Sequence, residues 1–330
     1  MGVRQTALQL RPERDDNGSM PPRTRGAHRS RPWLSRGRWL ALVVLVLPVV
    51  LAGCPGARQM VPIQRAALVG VDTSRTTPPR GGQPELPQRT LPISIVMPID
   101  PGPWPLIVFA HGFNTTPADY QSLLDAWAQA GYVVASPTFP IGSSAGPGPA
   151  RRDDNWDEPW DMSWTINTVL ADAGIAPHVD ASRIAVAGHS DGGSAVAAMA
   201  FNDLVYDHRV TAFLSMSGGL IPYGPYAAAP GGRWGSNNQG AVLTVSGDAD
   251  PNYPWAMGVT YWANEPKGNL TLLGGTHFAP FVDGGDMGDT VRHTTIDFFN
   301  RWLRGDGWAG WWLSRDGNSP GLSRLDTGSL

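Results

Sequence analysis

Arg183-Ile184-Ala185-Val186-Ala187-Gly188-His189-Ser190-Asp191-Gly192-Gly193 is the stretch that decides the fold. Four apolar residues, Ile184 to Ala187, read as a strand buried on both faces. Small residues from Gly193 to Asn202 read as a tightly packed helix. Between them Gly188-x-Ser190-x-Gly192 has the spacing of a nucleophile elbow, which needs a strand before it and a helix after it. The turn must be sharp for the serine hydroxyl to project from the sheet, and Gly188 and Gly192 lack the Cβ atoms that would obstruct it. The helix N-terminus beneath the serine favours developing negative charge.

Outward from the elbow, strand patterns alternate with helical ones. Upstream, Ala66–Val71, Leu91–Met97, Pro105–Ala110 and Tyr132–Ala135 read as strands. Pro117–Ala130 reads as a helix, with Thr116 as its cap and Tyr120, Leu123, Leu124 and Trp127 on one face. Met162–Ala173 is a second helix. Downstream, Ala212–Met216, Ala241–Val245 and Leu270–Leu273 are strands, and Thr290–Leu303 is a closing amphipathic helix. This alternation predicts an α/β fold: a mostly parallel, doubly wound sheet with helices on both faces and no large lid domain. The Gly/Pro/Tyr-rich stretch Gly218–Gly240 reads as a long surface loop.

Serine is a weak nucleophile until a base takes its proton. Downstream of Ser190 the histidines are His208, His277 and His293. His277 follows the last of these parallel strands and so falls at the sheet edge where ligands bind. His208 lies just after the elbow helix, and His293 sits within the closing helix. Two carboxylates compete as the acid in Ser246-Gly247-Asp248-Ala249-Asp250-Pro251; Asp250 is favoured, leaving Asp248 as a turn or cap residue. An oxyanion hole needs two backbone N–H groups, assigned to Asp191 and to Phe113 of His111-Gly112-Phe113. His111 itself reads as a structural loop histidine. The Asp191 side chain places a negative charge beside the reacting carbonyl, so neutral esters are expected to be preferred over anionic ones. Trp104, Trp156, Trp160, Trp255 and Tyr223 are candidates to line an apolar substrate pocket.

The segments FAHGFNTTPADY, AGYVVASPTFP (130–140), VDASRIAVAGHSDGG (179–193), SGDADPNYPW (246–255) and PKGNLTLLGGTHF (266–278) together resemble secreted α/β-hydrolases of the platelet-activating-factor acetylhydrolase and chlorophyllase type. They are similar also to bacterial dienelactone-hydrolase-like and polyester-hydrolase enzymes. The resemblance spans about residues 66–304 and implies an α/β-hydrolase fold with Ser190, Asp250 and His277 as nucleophile, acid and base. Its G-x-x-D-x-x-x-P pattern, here Gly247, Asp250 and Pro254, supports Asp250 over Asp248. True dienelactone hydrolases carry Cys where this chain has Ser190, and cutinase-like polyester hydrolases commonly carry Met at the place of Asp191 and a C-terminal disulfide. With one cysteine this chain forms no internal disulfide. The implied activity is hydrolysis of a small-molecule or lipid-like carboxylic ester through an acyl-enzyme, without metal or organic cofactor. The alternatives are a thioesterase or peptidase using the same triad, or a non-catalytic envelope binding protein on a hydrolase fold.

The N-terminus reads as an address. Nine arginines precede an apolar run from Trp39 to Ala52, too short for a comfortable bilayer span. Leu51-Ala52-Gly53-Cys54 resembles the lipobox of bacterial lipoproteins, in which the cysteine is lipidated and becomes the mature N-terminus. Expected boundaries are therefore a signal peptide over 1–53, a tether over 54–65, the hydrolase domain over 66–304 and a C-terminal tail over 305–330, with Met20 an alternative start. The expected location is the extracytoplasmic face of the cell membrane, held by a lipid on Cys54. Beyond Arg38, 16 basic residues face 25 acidic ones, a net charge of −9 without a Lys/Arg run, which argues against a nucleic-acid partner.

Overall fold

A computed structural model describes residues 60–220, 234–235, 240–327 and 330. The signal segment, Cys54, the tether up to residue 59, Tyr223 and most of the Gly218–Gly240 loop lie outside the described residues.

Among the described residues, nine strands form one sheet. β1 (Ile63–Asp72) pairs antiparallel with β2 (Arg89–Pro98), and β2 pairs antiparallel with β4 (Val133–Pro137). From β4 the order runs through β3 (Trp104–Ala110), β5 (Val179–His189), β6 (Val210–Met216), β7 (Ala241–Gly247) and β8 (Lys267–Leu272), all parallel. β9 (Ser323–Thr327) closes the far edge antiparallel to β8. The central strands are apolar on both faces, as Leu106 to Ala110 illustrate, because helices cover both sides. On one face α1 (Gln121–Gln129) and α6 (Gly285–Leu303) bring Leu123, Leu124, Trp127, Phe298 and Phe299 onto the sheet. On the other, α2 (Glu158–Ala171), α3 (Asp191–Phe201) and α4 (Tyr253–Trp262) contribute Met162, Ile166, Val196, Met199 and Val259. This is the expected doubly wound α/β architecture, and no inserted domain occurs among the described residues.

Three boundaries differ from the sequence reading. β1 begins at Ile63, so residues 63–65 are strand rather than tether. α4 occupies a stretch to which the sequence reading gave no element, since Pro254 and Gly258 mask its helical pattern; proline is tolerated there because it falls in the first turn. The domain does not stop at Arg304: α7 (Ala309–Gly317) follows a short α5 (Ala279–Val282) and α6, and leads into β9. β9 buries only Ser323 and Leu325 and has one paired edge, so its sequence carries a weak strand signal.

The order of the strands fixes where a site can form. From β3 the chain goes to β4 on one side and returns to β5 on the other, so the C-terminal ends of β3 and β5 flank the switch point of the sheet. Crevices at such points collect ligands because the loops diverge there.

Candidate active site

Ser190 stands between β5 and α3 with φ 57° and ψ −118°, a left-handed conformation for a residue with a side chain. Such a backbone costs on the order of 1–3 kcal/mol and persists only where its surroundings impose it. Here its N–H donates to Met216 O (2.9 Å) and its carbonyl accepts from Ser194 N–H (2.9 Å). A Cβ on Gly188 would overlap the Gly192 carbonyl, which is why the elbow needs glycine.

Ser190 Oγ–H donates to His277 Nε2 at 2.9 Å, and His277 Nδ1–H donates to Asp250 Oδ2 at 2.7 Å. The three groups come from the ends of β5, β7 and β8, aligned because these strands run parallel. Asp250 is buried, and burial opposes its charge. The Asn252 N–H at 2.8 Å and His277 outweigh that and hold the carboxyl below its ordinary value. Asp248 points elsewhere and accepts the Gly274 N–H at 2.6 Å, tying together the loops after β7 and β8. The ring of His208 packs against Tyr206, 4.8 Å between centroids, and His293 lines a separate groove with Ser122 and Gln129.

The loop after β3 passes against the serine: a Cβ on Gly112 would lie 3.1 Å from Ser190 Cβ. Its backbone is held on both sides of Phe113. Gly112 O accepts from Thr115 Oγ1 (2.7 Å) and His111 Nδ1 (2.9 Å), while Asn114 N–H donates to Gly142 O (2.8 Å). His111 Nε2 accepts the Phe139 N–H at 3.1 Å. Burial keeps this imidazole neutral, with its pKa lowered to about 4, as a structural histidine requires. Among the described residues neither Phe113 N–H nor Asp191 N–H has an acceptor, which leaves both available to an oxyanion.

The sequence reading missed Arg152. Its Nε pairs with Asp191 Oδ2 at 3.0 Å, and its guanidinium covers the Phe113 ring at 4.4 Å. It therefore touches the side chains of both assigned oxyanion-hole residues. Burial raises the Asp191 carboxyl above its ordinary value, while Arg152 and His277 oppose the rise. Behind it, burial and the neighbouring Asp191, Asp161 and Asp154 push Glu158 well up. The lone negative charge expected at Asp191 is thus compensated. Arg152 rides on the loop after β4, which buried arginines pin. Arg80 donates to the carbonyls of Pro140, Ser143 and Gly148, and Arg89 pairs with Asp154 and Asp161, each at 2.7 Å. The adjacent Arg151-Arg152-Asp153-Asp154 run in a Gly/Pro-rich loop was the available signal.

Ser190 and His277 open onto a cleft of about 300 Å³ whose walls include Arg152, Asn155, Ser194, Ser217, Leu220 and Trp255. Of the four aromatic candidates among the described residues, only Trp255 is among its walls. Trp104 sits at the N-terminal start of β3, six residues and about 20 Å from the site end of that strand. Trp156 and Trp160 pack against Ala198 and Val205. Tyr223 is outside the described residues. The described walls are consequently more polar than expected. No cluster among the described residues is arranged to hold a metal ion.

Residues 66–219 match the family model for chlorophyllase. That segment runs from β1 past β6 and includes Gly112, Phe113, Arg152, Ser190 and Asp191; it ends before Asp250 and His277. No curated protein matches the chain. The similarity supports the hydrolase group and, with the sheet, an α/β-hydrolase architecture and an esterase type of activity.

Proposed function

We propose that this protein is a serine esterase that cleaves a small carboxylic ester in two steps. His277 takes the Ser190 proton as the oxygen attacks the ester carbonyl. Asp250 keeps the imidazole in the Nδ1–H tautomer and stabilises its cation. The N–H groups of Phe113 and Asp191 receive the oxyanion, the alcohol leaves with the proton from His277, and water then releases the acid by the same route. The observation that carries this reading is the unbroken hydrogen-bonded series Ser190–His277–Asp250 at the switch-point end of the sheet.

The cleft's size and its serine, asparagine and arginine walls support a short acyl group over a long lipid chain. The test is turnover of p-nitrophenyl esters of increasing acyl length, with a matched thioester and amide, in wild type and Ser190→Ala. Short esters should be cleaved fastest, and Ser190→Ala should lose orders of magnitude in kcat. Thioester or amide turnover above that of the ester would assign the same triad to the alternative chemistry.

Export and attachment through a lipid on Cys54 belong to the same proposal. Their support is the sequence Leu51-Ala52-Gly53-Cys54 behind a basic and then apolar segment. Several acyl chains, as on a lipoprotein, hold a protein at a membrane where one chain binds only marginally.

A further inference from the structure

The residue between Gly188 and Ser190 has no role in the chemistry above, yet it is a polar group almost fully enclosed beside the site. His189 is 1 % exposed, and its ring packs against Phe278, Phe281 and the ring of His277. Its two nitrogens have different partners. Nε2 lies 2.7 Å from the backbone carbonyl of His277, and Nδ1 lies 2.8 Å from the hydroxyl of fully buried Tyr120. A carbonyl only accepts, so Nε2 carries the proton and Nδ1 accepts the Tyr120 O–H. Burial lowers the pKa of this imidazole to about 3, so it stays neutral and this tautomer holds. The tyrosine oxygen in turn accepts the N–H of Gly112 at 3.2 Å. One continuous series thus runs from the backbone beside Phe113, through Tyr120 and the residue preceding the nucleophile, to the backbone of the base.

We propose that His189, oriented by Tyr120, is a positioning residue that holds the His277 main chain, and through it the imidazole, at hydrogen-bonding distance from Ser190. The inference rests on the esterase reading for its kinetic consequence but not for its structural one. His277 belongs to the loop between β8 and α5 and its side chain is 30 % exposed, so its ring is not fixed by burial. Asp250 fixes one ring nitrogen and Asp248 holds the loop upstream at Gly274, but neither contact holds the main chain at His277 itself, which keeps some freedom to shift. The donation from His189 to the His277 carbonyl removes that freedom. An unpaired carbonyl or imidazole in this dry setting is costly, so the series is retained as a unit.

The experiment separates the two nitrogens. In His189→Gln the side-chain amide approximates Nε2–H and keeps the donor to His277 O. In His189→Asn the amide oxygen approximates Nδ1 and keeps only the partner of Tyr120. Tyr120→Phe, which preserves the ring, is the third variant. Thermal melting, kcat and KM on one short ester, and the low-field proton resonance of His277 Nδ1–H are measured for each. His189→Asn should lose about 100-fold in kcat with KM within about twofold, the scale of a displaced reacting group, and should broaden the resonance. His189→Gln should recover most of the kcat and a sharp resonance at a similar melting temperature. Tyr120→Phe should fall between them. Equal kcat and equal resonances in the Gln and Asn variants would overturn the proposal, as would losses that simply track melting temperature. A wild type that shows the resonance but turns over no ester would refute the esterase reading, and the resonance alone would still decide the positioning role.

Discussion

Arg152 and Asp191 make opposite predictions about substrate charge, and each can be removed alone. A unit charge about 8 Å from a substrate carboxylate interacts with it by about 2 kcal/mol at an effective dielectric near 20. The two charges are paired at 3.0 Å, so at that range their fields largely cancel, and wild type should discriminate weakly between a neutral ester and an anionic one. Arg152→Gln leaves Asp191 uncompensated and should disfavour the anionic ester. Asp191→Asn leaves the cation and should favour it. The Coulomb limit is about 30-fold in kcat/KM. The Arg152 side chain is 57 % exposed, so water and salt should reduce the shift to roughly three- to tenfold at physiological ionic strength. Loss of the guanidinium also removes an interaction that keeps the Asp191 carboxyl down, so the comparison is repeated at rising pH, the direction that favours the ionised carboxylate. The assay is kcat/KM for p-nitrophenyl butyrate against p-nitrophenyl hemisuccinate, at low and high salt, in wild type, both single variants and the double variant. The singles should shift the ratio in opposite directions, more at low salt, and the double variant should return toward wild type. If both singles shift it the same way, or neither does, the pair does not face the acyl group and the reasoning is wrong.

Asp250→Asn should keep the fold and lose about 10⁴ in kcat, since the tautomer and the imidazolium lose their partner. Asp248→Asn should leave kcat within a fewfold and cost about 1 kcal/mol or less of stability, because Asn still accepts the Gly274 N–H; the reverse ranking by steady-state kinetics would move the acid to Asp248. The imidazoles of His111 and His189, whose pKa values fall to about 4 and about 3, should show no NMR titration between pH 7.5 and 5.5, and protonation of either in that range would contradict their burial. Cys54→Ser should abolish metabolic lipid labelling and release the protein from the membrane fraction; unchanged retention of both forms would mean an uncleaved anchor.

The elbow was legible because everything it needs is contiguous in residues 184–202: a buried strand, glycines flanking the serine and a helix behind it. His277 and Asp250 were legible through the fold rather than through spacing, since a parallel sheet delivers each strand's C-terminal loop to the same edge. Phe113 followed from the same rule. β9 and α4 were not read because one buries only two side chains and the other carries Pro254 and Gly258 against its periodicity. Arg152 escaped for a different reason. Its partner lies 39 residues away, and a charged run in a Gly/Pro-rich loop is ordinarily a solvated surface.

That difference bears on where specificity resides in such a molecule. Ser190, Asp250 and His277 follow the ends of β5, β7 and β8, so the sheet brings them to one edge, with His189 bonded to the main chain of His277. Arg152 is placed by a loop, and that loop is held by arginine side chains that reach back to its carbonyls and carboxylates. Replacing Arg80 removes donors to several loop carbonyls at once, each a hydrogen bond to a charged group worth about 1.5–3 kcal/mol. It leaves the sheet and the serine–histidine–aspartate series untouched. Arg152 and the serine–histidine–aspartate series are therefore held in place by different parts of the molecule. On the proposed reading, a change at Arg80 should act on which ester is accepted through Arg152 and on kcat through Gly142, whose carbonyl holds Asn114 beside Phe113, while the serine–histidine–aspartate geometry stays with the sheet.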